Sequence, residues 1–308
     1  MRSSSKTFDR HTAVILEHSH VTAVELTHSA KGFVLTAAGS FQAQTNFDTP
    51  AGEQSERGIR QREKAFAGEL GTFFKKIGAS SRHISFGLNT GMLMLQTVPM
   101  DESLDDRQRA EQALWELKNF DIDSTERSHA LITHRLAGDT AQPDTARVVI
   151  VGVRKSFVSF LTNTAAILSS KLAIVDVQHF CAENALIANY GQDAAVKTLL
   201  IGMDDHALNA STLEHGQPID VQVRSFSGDD TRMIFDIVRS SGAEKIFLHG
   251  SGASYQMCET IQRTLEVPVA LIDPFKSVLL PASLKGLADI KARRHEFTAA
   301  IGLAMRTE

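Results

Sequence analysis

The stretch Ala13-Val-Ile-Leu-Glu-His-Ser-His-Val-Thr-Ala-Val-Glu-Leu26 decides how the fold of this chain is interpreted. Residues 13–16 and 21–26 are rich in strand-forming side chains, and the polar run Glu17–His20 separates them. Two such runs joined by a short polar segment predict a β-hairpin. The turn contains a carboxylate and no glycine, so an anion approaching it would meet a like charge and a side chain instead of backbone N–H groups.

The bulk composition is that of an ordinary globular protein. The 308 residues are 43% hydrophobic and 22% charged, which is enough for one large or two medium domains with a stable core. The net charge is −4 and the isoelectric point is about 6.3. Lysine and arginine are scattered, so no nucleic-acid surface is predicted, because that would need a concentrated basic patch.

The cysteines and the hydropathy indicate the compartment. Cys181 and Cys258 lie in apolar or helical surroundings, and we interpret them as two buried thiols of a reducing compartment. The first ten residues contain no apolar segment, and no window approaches the roughly 20 apolar residues that span a bilayer. We therefore expect a cytoplasmic protein with no direct membrane insertion and, since the chain stops just after Arg306, no amphipathic tail.

The order of predicted elements contains two meander-plus-helix halves separated by a smaller block. The first half has four short strands within 12–48, a helix over 56–77 that Gly78 closes, and a strand over 83–88. The middle block reads strand 92–98, helix from Pro99 to Phe120, strands 128–136 and 147–153, and helix 156–172. The second half follows a return strand at 174–180 and a helix at 182–190, and has strands 196–202, 207–213 and 219–226, helix 231–240, strand 245–248, helix 255–265 and a closing helix 297–305.

Several segments resemble the PilM family of type IV pilus assembly proteins, which are actin-like ATPases related to FtsA. The resemblance covers essentially the whole chain and is strongest at 92–190 and 245–305. The segments that carry it are Val21–Leu26, the Pro-Met-Asp-Glu run at 99–102, Val148-Val-Ile-Val-Gly-Val-Arg154, Ile174–Phe180, Asp273-Pro-Phe275 and the Ala-Ala-Ile-Gly-Leu-Ala-Met run within 297–305.

The resemblance implies an α/β, actin-like (ribonuclease H-like) fold of two lobes with a small β-α-β-β-α inserted subdomain. The first lobe would comprise 1–90, 173–190 and 296–308, the inserted subdomain 91–172, and the second lobe 191–295. In relatives a helical subdomain that covers the nucleotide follows the second meander. Here the chain passes directly from residues 226–230 to a helix, so this cover subdomain is expected to be missing or reduced.

The phosphate loops implied by the resemblance lack their usual residues. In the first loop Ile15 stands where an aspartate is expected, Glu17 where a glycine is expected and Thr22 where a lysine is usual. The second loop should be Asp-x-Gly, but Asp204 and Asp205 follow Gly202 and are interpreted as turn residues. We therefore expect no cofactor; ATP with Mg²⁺ is the disfavoured alternative.

The loop Leu248-His-Gly-Ser-Gly-Ala253 follows a predicted strand and opens a helix, a position where backbone N–H groups can face an anion. The resemblance implies that Gly250, Ser251 and Gly252 are a vestigial adenosine loop. The alternative is that both glycines serve a tight strand-to-helix turn. Ser251 lacks the surroundings of a nucleophile, so no catalytic residue is predicted.

His18, His20 and His28 form the densest histidine group. A histidine pair supplies only half of a tetrahedral shell, and no further ligand stands at a recognisable spacing, so no metal site is predicted.

The resemblance implies a cytoplasmic scaffold, without ATP hydrolysis, in a type IV pilus or type II secretion-like assembly. It would lie at the inner face of the inner membrane and bind the N-terminal peptide of a PilN-like bitopic partner. Homo-oligomerisation stays open. The alternative is an active actin-like ATPase or kinase with divergent loops, for which Asp176, Asp204 and Asp205 would be the candidate residues.

Overall fold

The computed structural model describes residues 8–30, 32–45, 47, 56–80, 82–120, 129–137, 144–191, 196–204, 206–225 and 231–306. Its strands are β1 (Arg10–Glu17), β2 (His20–Ser29), β3 (Gly32–Gln42), β4 (His83–Leu88), β5 (Met94–Asp101), β6 (His129–Arg135), β7 (Thr145–Arg154), β8 (Lys171–Val177), β9 (Thr198–Met203), β10 (Ala207–Glu214), β11 (Gln217–Ser225), β12 (Lys245–His249), β13 (Val269–Leu271) and β14 (Val278–Leu279). Its helices are α1 (Glu56–Ile77), α2 (Asp106–Phe120), α3 (Lys155–Ile167), α4 (Gln178–Tyr190), α5 (Thr231–Ser241), α6 (Tyr255–Leu265), α7 (Leu287–Ala292) and α8 (Thr298–Ala304), with 3-10 turns at Thr90–Met92 and Arg294–Phe297.

The first lobe is built on a sheet in the order β14-β3-β2-β1-β4-β8. The predicted hairpin is present: β1 and β2 pair in antiparallel fashion and turn at His18 and Ser19. β4 runs parallel to β1, and β8 runs parallel to β4, so the carboxyl ends of these three strands lie on the same side of the sheet. α1 and α3 pack on one face, where the Phe66 and Phe160 rings stack with centroids 5.9 Å apart.

The second lobe repeats this plan in the order β11-β10-β9-β12-β13. β9, β10 and β11 form the second meander, and β12 runs parallel to β9. α5 and α6 bury apolar side chains such as Ile237 and Ile261 against this sheet. β11 ends at Ser225 and α5 begins at Thr231, which leaves no room for a cover subdomain between them.

Helices α4 and α8 join the two lobes. One hydrophobic core contains side chains from the first sheet, both helices and the second sheet, among them Ile15, Leu303 and Phe247. The helices cross closely at Gly302, since a Cβ placed there would lie 1.8 Å from the carbonyl oxygen of Cys181. Only glycine permits this approach.

The inserted subdomain leaves the first lobe after β4 and consists of the sheet β5-β7-β6 with α2. Its own core includes Met100, Leu117 and Ile150. A second apolar cluster joins this sheet to α4 and to β11 of the second lobe; its fully buried members are Leu136, Val149, Val151, Val177, Phe180 and Val221. The subdomain therefore contacts both lobes.

The structure differs from the sequence expectation at several boundaries. β3 is one strand across Gly39, so the first meander has three strands and not four. β5 continues through Pro99 to Asp101, because an edge strand tolerates a residue without an N–H. α2 begins later because Asp105 and Gln108 form a capping box, with Gln108 N donating to Asp105 Oδ1 at 2.8 Å.

The chain also returns to the first lobe at places other than the expected domain boundaries. β8 begins at Lys171, and α3 packs on α1 of the first lobe. β14 pairs with β3, so residues 278–279 belong to the first sheet although they precede residue 296. Within the described part of the chain, no helix is both long and apolar enough to cross a bilayer.

Candidate functional site

The candidate site is the cleft where the two sheets face each other. The carboxyl ends of β1, β4 and β8 in the first lobe bring Glu17, Asn89 and Gln178 together. The carboxyl ends of β9 and β12 in the second lobe carry Asp204 and the loop at Gly250. Ligands of α/β proteins bind at such strand ends, because loops there diverge and leave a crevice.

The first-lobe side of the cleft is the β1–β2 turn. His18 has a left-handed backbone with φ of +47°, a conformation that glycine adopts more easily. Ile15 points into the core between the lobes and is buried against Gly87 and Leu303. Thr22 is also buried. Ile15 therefore presents no polar group to the cleft.

The second-lobe side is the turn between β9 and β10. Asp204 Oδ1 accepts hydrogen bonds from the backbone N–H groups of His206 at 2.8 Å and Ala207 at 2.7 Å. This is the Asx-type turn that the sequence predicted for Asp204. Asp205 lies outside the described residues.

Direct contacts between side chains cross the cleft. Asn89 Nδ2 donates to Asp204 Oδ2 at 2.5 Å and lies 3.4 Å from Gln178 Oε1. Gln178 Nε2 donates to Glu17 Oε1. We call Glu17, Asn89, Gln178 and Asp204 the cleft bridge. All four are buried, so their hydrogen bonds are formed out of contact with bulk water.

A ring contact lies beside the cleft bridge. The imidazoles of His18 and His206 meet edge to face with centroids 4.1 Å apart, so the two turns touch directly. His20 Nδ1 lies 3.6 Å from Glu17 Oε2. His28 is at the far end of β2 against Phe33, so it does not join His18 and His20. Among the described residues, no three His, Cys, Asp or Glu side chains are grouped so that they could hold a metal ion.

The predicted adenosine loop, Gly250 to Gly252, packs on the end of β9. Gly250 has φ of +93°, and a Cβ there would lie 2.3 Å from the carbonyl oxygen of Met203. The N–H of Gly252 donates to the same carbonyl at 3.0 Å, and the N–H of Gly250 donates to the carbonyl of His295 at 3.2 Å. Ser251 is exposed. Gly250 is therefore needed for the turn, whereas a Cβ on Gly252 would meet only a tight contact at 3.3 Å from Met203 Cβ. Two of the N–H groups that could face a ligand bond to the protein.

Asp176, a candidate of the alternative enzyme hypothesis, is engaged elsewhere. It is buried at the end of β8, its Oδ1 accepts from the N–H of Val177 at 2.8 Å, and it forms an ion pair with Arg306. The pKa of Arg306 is lowered from its ordinary value because the guanidinium is desolvated by burial. An aspartate held in this way would have to release Arg306 before it could orient a reacting hydroxyl.

Sequence reasoning missed Asn89 and Gln178, the two amides of the cleft bridge. Neither belongs to a recognisable motif. The available signal was their position directly after β4 and β8, because parallel strands deliver the residues that follow them to the same edge of a sheet.

The fold of this chain has counterparts among solved structures. Neither a protein-family model nor a curated protein matches the chain. Among solved structures it is similar to a PilM-PilN type IV pilus biogenesis complex, with a TM-score of 0.75 and 17% identity over 96% of this chain and 98% of that chain.

Two further solved structures are similar at lower scores. One is a protein of unknown function with an actin-like ATPase fold from Bacteroides thetaiotaomicron, with a TM-score of 0.49 and 13% identity over 86% of this chain and 91% of that chain. The other is the cytoplasmic domain of EpsL, an inner membrane component of the type II secretion system of Vibrio cholerae, with a TM-score of 0.48 and 12% identity over 90% of this chain and 87% of that chain. On the full-length likeness to the PilM-PilN structure, the chain has an actin-like fold of the PilM-like form.

Proposed function

We propose that this protein is a scaffold of a type IV pilus or type II secretion-like assembly that works without ATP hydrolysis. It binds the cytoplasmic N-terminal peptide of a PilN-like bitopic partner and is thereby held at the inner face of the inner membrane. The full-length likeness to a PilM-PilN complex supports the assembly and the partner class. The observation that carries the proposal is the cleft bridge, because it occupies the place where an actin-like ATPase would hold phosphates.

The chemistry of the cleft bridge opposes a polyphosphate. A nucleotide would have to break the Asn89–Asp204 and Gln178–Glu17 hydrogen bonds and leave buried polar groups without their partners. It would then face the carboxylates of Glu17 and Asp204, which repel phosphate at short range. The glycine loop offers little compensation, since two of its N–H groups already bond to the protein.

The test for nucleotide is a thermal melt of the full chain in millimolar ATP and Mg²⁺. A ligand that binds only the native state stabilises it and so raises the melting temperature. The stabilisation is about 2.7 kcal/mol when the ligand concentration is a hundred times Kd. We expect no shift. A shift that reports micromolar binding would end the proposal that the cleft is closed to nucleotide, and hydrolysis of the bound ATP would establish the alternative, an actin-like ATPase or kinase.

The partner surface proposed here is the free edge of β5 in the inserted subdomain. Among the described strands, β5 pairs on one side only, with β7, and residues 94–97 are half-buried. The other edge strand of this sheet, β6, leads into a contact with the second lobe. The N–H of Ala137, just after β6, donates to the carbonyl of Pro218 on β11 at 2.7 Å. A partly apolar, open strand edge accepts an extended peptide as an added strand.

A pair of proline variants tests this edge. Successive N–H groups of a strand alternate in direction, so of Gln96 and Thr97 one donates toward β7 and the other points outward. The probe is the cytoplasmic N-terminal peptide of a PilN-like bitopic protein, the partner class proposed above. Of Gln96→Pro and Thr97→Pro, the variant that removes the outward N–H should keep its melting temperature, because no hydrogen bond to β7 is lost. That variant should no longer bind the peptide. Full peptide binding by that variant would contradict docking at β5.

A further inference from the structure

A second polar cluster, away from the cleft bridge, connects the inserted subdomain and both lobes. Its members are His134 on β6, His179 and Glu183 on α4, Ser211 on β10 and His249 at the end of β12. We call these five residues the junction. All except His134 are almost fully buried. Gly202 on β9 makes room for them, since a Cβ there would lie 2.5 Å from His249 Nε2 and 3.0 Å from His179 Nδ1.

The hydrogen bonds of the junction form a chain in which each side chain donates to the next. Ser211 Oγ donates to Glu183 Oε1, so its other contact, with His179 Nε2 at 2.9 Å, requires that nitrogen to carry the proton. His179 Nδ1 is then an acceptor, and His249 Nε2 donates to it across 3.3 Å. The chain His249, His179, Ser211, Glu183 is satisfied only while both imidazoles are neutral.

A proton added to His179 would enter at Nδ1 and face the N–H of His249. Two donors would then oppose each other at 3.3 Å, and a positive charge would be buried without a partner. A proton added to the free nitrogen of His249 would likewise leave a cation in this site. Either event weakens the only direct hydrogen bond between these two histidines, which joins α4 to β12.

The surroundings offer these charges no relief. His249 faces His295 of the 3-10 turn before α8, and His179 faces His134, which in turn faces Arg306. Glu183 lies 3.5 Å from His134 and also faces Cys181 on its own helix. Asp176 forms an ion pair with Arg306. The carboxyl group of Glu183 is linked to His179 through Ser211 Oγ.

The electrostatics agree with this geometry. Burial lowers the pKa of His249 to about 3, with His295 adding to the effect, and burial beside His249 lowers the pKa of His179 well below its ordinary value. Burial also lowers the pKa of His134 and raises the pKa of Glu183 to about 8. The unfolded or opened chain therefore takes up protons on these histidines at a higher pH than the closed structure does. Glu183 acts in the opposite sense, because its raised pKa stabilises the closed structure as the pH falls, so release in acid requires that the three histidines outweigh it.

We propose that His179 and His249 form an acid-sensitive latch, which holds the second lobe against α4 while both rings are neutral and releases it when they are protonated. This inference concerns the closure of the molecule and does not depend on the proposed function. Because His134 and Glu183 extend the junction to β6, release also loosens the inserted subdomain.

The test is hydrogen–deuterium exchange of the full chain at pH 7 and about pH 4.5, with rates corrected for intrinsic exchange. Peptides covering β10, β12 and the first turn of α4 should lose protection by roughly tenfold or more at the lower pH, and by more than β1 and β4, which are joined by one buried histidine, His11, where the junction contains three. The variant H179Q/H249Q retains amide hydrogen bonding but cannot be charged, so this selective loss should fall below about threefold.

A matched control is His11→Gln. His11 is a buried histidine of the first lobe, bound to Ser85 Oγ at 2.7 Å and to the carbonyl of Ala304 at 3.0 Å, and burial lowers its pKa to about 4. This variant removes a buried histidine of the first lobe, so it should leave the loss in β10, β12 and α4 unchanged and should increase the protection of β1 and β4 at the lower pH. The wild-type experiment decides by itself if the double variant does not fold: equal loss of protection in both lobes at the lower pH would overturn the latch.

Discussion

The cleft bridge and the junction both join the two lobes, but they use opposite chemistry. The cleft bridge pairs the carboxylates of Glu17 and Asp204 with the amides of Gln178 and Asn89, which do not titrate. The junction contains three histidines and a glutamate, all of them titratable, and a single hydroxyl between them. Closure of the lobes should therefore depend on pH at the junction.

This difference also bears on nucleotide. In an ATP-dependent member of the fold, a ligand between the lobes supplies the contacts that close them. Here both clusters supply such contacts from the chain itself, one at the strand ends and one beside α4. The proposed scaffold, whose partner surface would lie on the inserted subdomain, would benefit from such preorganised closure.

The largest expected effect comes from filling the space at Gly202. Gly202→Ala places a methyl group against both rings of the latch, so the free energy of unfolding should fall by about 2–4 kcal/mol in a urea titration. The control is Gly68→Ala on α1, where a Cβ meets nothing within 4 Å. That variant should gain about 0.5–1 kcal/mol from helix propensity. Equal effects at both glycines would show that the junction adds no stability.

Removing the acid of the junction should have the next largest effect. Glu183→Ala leaves Ser211 and His134 without their partner, and the expected loss is about 2–3 kcal/mol at pH 6. Glu183→Gln keeps an acceptor for Ser211 and imitates the protonated acid, so it should cost much less at that pH.

The same pair of variants tests the pH dependence. Burial raises the pKa of Glu183 to about 8 from its ordinary 4.5, so the native state retains a proton that the unfolded chain has released. The stabilisation is complete below 4.5 and is lost as the pH rises to 8. Relative to Glu183→Gln, the wild type should lose roughly 3 kcal/mol between pH 5 and 8, measured as urea stability at each pH. Parallel curves for the two proteins would contradict a protonated Glu183.

A charge at the cleft bridge should have a smaller effect. Asn89→Asp sets a second carboxylate 2.5 Å from Asp204, and the protein should lose about 2 kcal/mol at pH 7 through repulsion and the lost donor. The loss should diminish near pH 4, where one proton can be shared. The exchanged pair N89D/D204N restores one acid and one amide and should recover most of the stability; no recovery would show that the contact across the cleft is dispensable.

Periodicity and turn chemistry predicted most of the helices and strands of this fold. The bounds of α1 and α6 match the expected 56–77 and 255–265, because apolar residues recur at helical spacing and Gly78 closes α1 with φ of +84°. The hairpin and the turn role of Asp204 were also predicted correctly. Edge strands were harder: Pro99 was expected to begin a helix, yet an edge position lets β5 continue through it.

The contacts between the lobes could not be predicted from the sequence alone. His179 and His249 stand far apart in the chain, and neither lies in a pattern typical of polar networks. They meet because α4 crosses the end of β12, a consequence of the sheet order and of the glycine at 202. The expected role of Gly250, Ser251 and Gly252 as a vestigial adenosine loop stays a prediction, which the ATP melt tests.

The smallest expected effect lies where the inserted subdomain meets the second lobe. Arg147 on β7 donates to Asp220 at 2.7 Å and to the carbonyl of Ile219 at 3.2 Å, but both side chains are partly exposed. Arg147→Ala should therefore cost only about 0.5–1 kcal/mol, and less at high salt. The matched control is Arg107→Ala, whose fully solvated pair with Glu111 lies within α2. If Arg147→Ala leaves the free energy of unfolding unchanged yet raises hydrogen–deuterium exchange in β6, the ion pair positions the subdomain. If Arg147→Ala instead costs as much as Gly202→Ala, the burial of the apolar cluster around Leu136 depends on this ion pair. The contact would then belong with the junction and not with the surface.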